Sequence, residues 1–166
     1  DQVEAMTMAD RIAVIRDGQL QAYASADELY DQPSTFFVAG FVGNPPMTFL
    51  DVEVSRETDG YHARREGFDL FLPDDRGDKA ADRGEVILGL RPEDVTIAEN
   101  GIRGEVYVVE PMGRDDLVDV HVSGKSIRVL VDPALKLRIG DSVSLACNGD
   151  KVQFFDPETE KSLLWQ

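Results

Sequence analysis

The most regular feature of the chain is an alternation of apolar and polar positions with period two. Val118, Val120 and Val122 alternate with Asp119, His121 and Ser123, and beyond Gly124-Lys125 the residues Ile127, Val129 and Val131 repeat the pattern. Successive side chains of a strand point to opposite faces, so this predicts two half-buried strands joined by a tight turn. Val143, Leu145 and Cys147 make another inward row, Asn148-Gly149-Asp150 turns the chain, and Val152 to Phe155 runs back. Met47 to Val54, Asp69 to Leu72, Glu85 to Leu90 and Gly104 to Val109 read as further strands. Many short strands without long helices predict a small barrel closed by its own edges.

The first 45 residues read differently. Asp1 with Glu4 has the form of a capping box and predicts a helix through about Ala9. Arg11 to Arg16 carries the apolar run Ile12-Ala13-Val14-Ile15 and reads as a buried strand, with Asp17-Gly18 as the hairpin turn and Gln19 to Ala24 as the return strand. Ser25 with Glu28 repeats the capping signature and starts a helix that stops before Pro33. Ser34 is expected to cap a second helix, with Phe37 and Phe41 on one core-facing side and Gly43 at its end. Asn44-Pro45-Pro46 then breaks regular structure, since consecutive prolines remove two donors and stiffen the backbone. The expected fold is therefore mainly β: residues 46–166 as a small β-barrel, preceded by an α+β segment, residues 1–45, of helix, β-hairpin and two helices.

Composition narrows the function. A chain of 166 residues with 42% hydrophobic content can bury one good core, or one small core and part of another. No apolar run approaches the roughly 20 residues that span a bilayer, and the first residues lack the basic and apolar regions of a signal peptide. The net charge of −15 would repel a phosphate backbone, which speaks against nucleic acid as a partner. Cys147 is the single cysteine and reads as a small core residue.

The chain offers little for catalysis. A phosphate loop needs G-x-x-x-x-G-K-S/T between a strand and a helix. Gly124-Lys125-Ser126 is the nearest match, but Asp119 stands where the first glycine is required, and a strand follows. Asp74, Asp78 and Glu85 suggest a calcium loop until Arg76 and Lys79 are seen at its third and sixth positions, so Pro73 to Gly84 reads as a solvated acidic loop. His62 and His121 are far apart, neither has a second nitrogen or sulfur ligand at metal spacing, and both read as strand residues. No serine sits in a G-x-S-x-G elbow. The expectation is no catalytic residue, no metal and no cofactor within these residues. Arg91 and Glu93 flank Pro92 at a strand end, as a signal-receiving surface or an exposed ion pair. Met112-Gly113 reads as a tight turn and a second interface candidate.

Several strings resemble the ATPase subunits of ABC importers. Asp1-Gln2-Val3-Glu4-Ala5-Met6-Thr7 is similar to the segment after the family's switch histidine, so the resemblance places the chain as a C-terminal fragment of such a subunit. Phe37 to Leu50 resembles the junction Phe-Val-Ala-Gly-Phe-Ile-Gly-Ser-Pro-Pro-Met-Asn-Phe-Leu of sugar-importer subunits, and Gly89-Leu90-Arg91-Pro92-Glu93 their Gly-Ile-Arg-Pro-Glu motif. Val108 to Gly113 and Phe155 to Thr159 add shorter likenesses. The resemblance implies that residues 1–45 end a nucleotide-binding domain and that residues 46–166 form an OB-like (TOBE) regulatory and dimerisation domain. It implies ATP and Mg in the parent but none in the fragment, which is expected not to be an enzyme. The implied partners are a second copy, permease subunits and a regulatory protein, at the cytoplasmic face of the inner membrane. A small-ligand sensor, for oxyanions or metabolites in an importer of polyamine or metal, is the alternative. The balance of 15 Lys and Arg against 25 Asp and Glu after residue 45 disfavours an anion pocket.

Overall fold

The computed structural model describes all residues, Asp1–Gln166. Helix α1 (Gln2–Met8) leads into a hairpin of β1 (Ile12–Arg16) and β2 (Gln19–Ala24), followed by α2 (Ala26–Asp31) and α3 (Phe36–Phe41). Asp1 accepts a hydrogen bond from the Glu4 amide, and Ser25 with Glu28 forms the complete reciprocal box, so both starts follow from side chains that satisfy free helix donors. The second start differs from expectation: Thr35, not Ser34, caps α3 and accepts from the Val38 amide. The Ser34 carbonyl instead accepts from Ser162.

Beyond the prolines, β3 (Thr48–Glu57), β4 (Gly60–Arg65) and β5 (Phe68–Leu72) form a meander. A helix α4 (Asp74–Ala81) follows, then β6 (Glu85–Leu90), a 3-10 turn at Pro92–Asp94, and β7 (Val95–Ala98). β8 (Ile102–Pro111), β9 (Asp116–Val122), β10 (Lys125–Val131), β11 (Ser142–Cys147) and β12 (Gln153–Phe155) complete the chain. The solvated loop expected at Pro73 to Gly84 is thus mostly helical. Pro73 stands just before the first turn, acidic Asp74 and Asp75 occupy it, and Gly77 and Ala80 are small enough to bury against the sheet.

The strands divide into two antiparallel five-stranded sheets, ordered β12-β6-β3-β4-β5 and β10-β9-β8-β11-β7. Their inner faces share one core, to which Leu50, Leu72, Leu88 and Phe154 come from the first sheet and Val106, Val120, Ile127 and Leu145 from the second. The period-two alternation is realised as an OB-like β unit whose two sheets are held by packing across this core. Each fully buried aliphatic or aromatic side chain contributes about 1.5–3 kcal/mol of transfer free energy.

The first residues keep a smaller core of Val14, Leu29, Val38 and Val42. Phe37 and Phe41 stack at 5.6 Å, but Phe41 is 51% exposed, so the core-facing side expected for this pair is only half covered here. The two parts meet at Ala39, Met47 and Phe155, where the rings of Phe36 and Phe49 lie 4.4 Å apart. The C-terminal residues strap this contact: Phe36 donates to Glu160, Ser162 donates to Ser34, and Thr35 bridges Lys161.

Candidate functional site

Arg91 closes β6 and enters the 3-10 turn that Pro92 starts. It is only 4% exposed. Its Nη1 donates to the Val42 carbonyl at 2.9 Å and its Nη2 to the Tyr30 carbonyl at 2.8 Å, while the guanidinium lies 3.8 Å from the centre of the Tyr30 ring. Burial pulls its pKa down to about 10, against the opposing pull of Asp94 and Asp31, so the group stays charged at neutral pH. A fork of donors over an aromatic face suits arginine and not lysine. The residue therefore ties the ends of α2 and α3 to the strand module.

Gly43 makes this approach possible. Its φ is +108°, and a Cβ there would stand 2.7 Å from Arg91 Nη1. The Gly43 amide donates to Gln2 Oε1 at 2.9 Å, and Gln2 Nε2 donates to the Phe41 carbonyl at 2.7 Å, which fastens α1 to the same corner.

A cleft of about 240 Å³ opens beside Arg91, lined among others by Asp31, Arg76, Glu93, Gln153 and Trp165. Gln153 bridges it, donating to the Asp31 carbonyl at 2.9 Å and accepting from Trp165 Nε1 at 2.9 Å. Arg76 donates to the carbonyls of Val152 and Asp150 at 2.8 and 2.7 Å. The carboxyls of Glu93 and Asp94 are raised above their ordinary range, in each case first because neighbouring atoms displace water from them. Glu93 keeps contact with solvent at the cleft mouth.

Of the residues singled out in the sequence, Arg91 and Glu93 share this cleft, but not as an exposed ion pair: Arg91 is buried and its partners are carbonyls and a ring. Met112 and Gly113 lie elsewhere, at the tip between β8 and β9. Met112 is 46% exposed and its amide donates to Asp115, while Gly113 turns the chain at φ +96°. Tyr30, Gly43 and Gln153 complete the junction from positions remote in sequence; a local pattern marked Gly43 as a helix end, and none signals Tyr30 or Gln153.

What the junction shows is a mechanical link, with Arg91 and Gln153 joining the helix ends to the strand module. Cys147 is inert by environment, since burial pushes its thiol up to about 12. Ser123-Gly124, both at positive φ, turn the β9–β10 hairpin one residue earlier than the sequence suggested, and Lys125 and Ser126 already pair in the strand with Val122 and His121, so these residues do not fit a phosphate cradle.

Residues 43–95 match the MalK OB fold domain, and residues 88–155 match the TOBE domain, so the two matches overlap on the segment that carries Arg91. The chain carries MalK OB fold and TOBE domains, and its relatives are ABC transporter ATP-binding subunits. The chain is 40% identical over 176 residues to the trehalose/maltose import ATP-binding protein MalK of Thermococcus litoralis, covering 98% of itself and 46% of that protein. It is 36% identical to the xylose/arabinose import ATP-binding protein XacK of Haloferax volcanii, covering 98% of itself and 44% of the relative. An uncharacterized ABC transporter ATP-binding protein of Sinorhizobium fredii is 38% identical, with 96% and 42% covered. The chain thus spans less than half the length of these relatives. Among solved structures, the molybdate-binding protein ModG superposes with a TM-score of 0.52 at 18% identity, over 66% of this chain and 95% of that one, a likeness of fold alone.

Proposed function

We propose that this MalK-type chain is the regulatory and dimerisation portion of the ATPase subunit of a carbohydrate importer. The reading rests on one observation above the others: the match to a trehalose/maltose import ATP-binding protein runs through 98% of the chain at 40% identity. Residues 1–45 end the ATP-hydrolysing domain, and residues 46–166 form the accessory domain. ATP and Mg bind in the remainder of that domain, and the complete subunit works against permease subunits at the cytoplasmic face of a membrane. The exposed apolar residues Ile15, Leu20, Tyr23 and Phe41 are the surface on which the remainder of the ATPase domain packs.

Arg91 gives this function a mechanical basis. A buried charge bonded to the ends of α2 and α3 makes the helical layer move with the β unit, so a regulatory protein docking near Met112-Gly113 shifts the ATPase domain as a body. Pairing of two such β units keeps two ATPase domains at high effective concentration while they open and close. Light scattering on size-exclusion fractions, with this chain and with the full subunit that contains it, counts the copies. Dimers in the full subunit support the proposal. Monomers of both at the highest attainable concentration overturn it.

A further inference from the structure

A second set of polar residues lies on the outer face of the β3-β4-β5 meander, away from the Arg91 cleft. Strand register puts Ser55 opposite His62 and Arg64 opposite Asp69, so Glu57, His62, Arg64 and Asp69 share one face. The other face carries Val54, Tyr61, Ala63 and Leu70 into the core.

His62 is only 8% exposed, although its strand face is the outer one. The ring of Phe71 packs edge-on against it at 5.4 Å. Its Nδ1 is 2.7 Å from Asp69 Oδ1, and the other oxygen of Asp69 accepts from Arg64 Nε at 2.9 Å. Asp69 is therefore pinned on both oxygens and accepts from Nδ1–H, so the neutral ring can present the lone pair of Nε2, while the carboxylates of Asp69 and Asp59 raise the ring's pKa and favour a second proton at that same nitrogen. No donor faces Nε2. That nitrogen faces the carboxylate of Asp59, with both oxygens at 3.1 Å, and an oxygen of Glu57 belongs to the same cluster, whose ligand atoms all lie within 4.8 Å of one another.

Groups converging on one point at the rim of a buried ring need a positive charge between them, which either a proton on Nε2 or a metal ion in its place supplies. We propose that Glu57, Asp59 and His62 bind a divalent transition-metal ion. Asp69 is the outer carboxylate that orients the imidazole, the arrangement by which metal-bound histidines are commonly fixed. Zinc bonds to imidazole nitrogen and carboxylate oxygen are about 2.0–2.2 Å long, which sets ligand atoms of a tetrahedral site about 3.3 Å apart. The 3.1 Å between Nε2 and each Asp59 oxygen is close to that edge. Glu57 completes the set by leaving its contact with Arg64, and the fourth position stays open to water. An imidazole in the set selects Zn²⁺, Ni²⁺ or Cu²⁺ over Mg²⁺ and Ca²⁺.

The test is calorimetric titration of the intact chain with ZnCl2 and, separately, MgCl2, together with melting curves in the presence and absence of each salt. One saturable zinc site per chain, a zinc-dependent rise in melting temperature and no response to magnesium are expected. Asp59→Asn and His62→Gln should each weaken zinc binding at least tenfold, and Asp69→Asn by about 10- to 100-fold. Glu66→Gln, outside the cluster, should leave it unchanged. The Asp59 side chain is 64% exposed, so Asp59→Asn keeps the apo fold and the result stands even if His62→Gln unfolds. Absence of saturable zinc binding in the unaltered chain, or binding that survives Asp59→Asn unchanged, overturns the proposal. So does a His62 ring that NMR shows doubly protonated and indifferent to zinc, for then a proton alone occupies the position.

Discussion

The guanidinium of Arg91 lies 3.8 Å from the centre of the Tyr30 ring and donates to the Tyr30 carbonyl at 2.8 Å, binding face and backbone of one residue with one group. A charge so buried is costly unless every donor it carries toward the interior is used. Here the ring and two helix-end carbonyls use them, and the helical layer depends on the strand module in return.

Arg91→Ala strips that arrangement and leaves the carbonyls of Tyr30 and Val42 without their donor. The expected loss is about 3 kcal/mol, from unsatisfied acceptors and the lost cation–ring contact. Arg91→Lys should fall between, keeping the charge but not the fork. Urea unfolding measures the loss. Hydrogen exchange should locate it, with the Val42 amide, bonded to Val38, exchanging faster while Val120 and Ile127 stay protected.

Gly43→Ala tests the same corner from the backbone. Its Cβ would meet Arg91 Nη1 at 2.7 Å in a conformation, φ +108°, that side chains rarely adopt. A loss of about 1–3 kcal/mol is expected. Because the two residues touch, the double variant with Arg91→Ala should lose less than the two single losses added together.

Asp156 sets an acid-side dependence. Its carboxyl is held below the usual range by the amides of Glu158 and Thr159, with Arg83 adding to the same effect. A folded-state pKa below the unfolded value stabilises above the unfolded pKa, and the gain disappears as pH falls through the folded one. Unaltered protein should therefore melt above Asp156→Asn at pH 7, and the gap should close below about pH 4. A gap of constant size across that range would contradict the assignment.

Cys147 should label slowly. With its thiol pushed up to about 12, about one molecule in ten thousand carries the thiolate at pH 8. Alkylation in native buffer should lag far behind alkylation in denaturing urea, with a rate that follows parting of β11 from the edge strand β7, where Cys147 pairs with Val95.

The strands were legible because one face of each sheet is buried: Val118, Val120 and Val122 alternate in sequence as they alternate in space. The caps at Asp1 and Ser25 were legible because a cap is a contact between residues three apart. α4 was hidden by its acidic composition and by Gly77, a weak helix former that is buried against Tyr61. Arg91 and Glu93 were found as a motif, but charge alone placed Arg91 on the surface, since its partners are main-chain carbonyls with no sequence signature. Weighed as a ligand, His62 reads in the sequence as an ordinary strand residue, and Glu57 and Asp59 are not joined to it, because a hairpin, not a fixed ligand spacing, gathers the three.

Local rules, then, determined which residues become strand, turn and helix, since periodicity and capping act over a few positions. Only the tertiary structure decided that the strands form two facing sheets, that residue 91 reaches residues 30 and 42, and that His62 is covered by Phe71. Those contacts join positions tens of residues apart or opposite one another across a pairing register, where burial and hydrogen-bond satisfaction of the whole chain choose the partner.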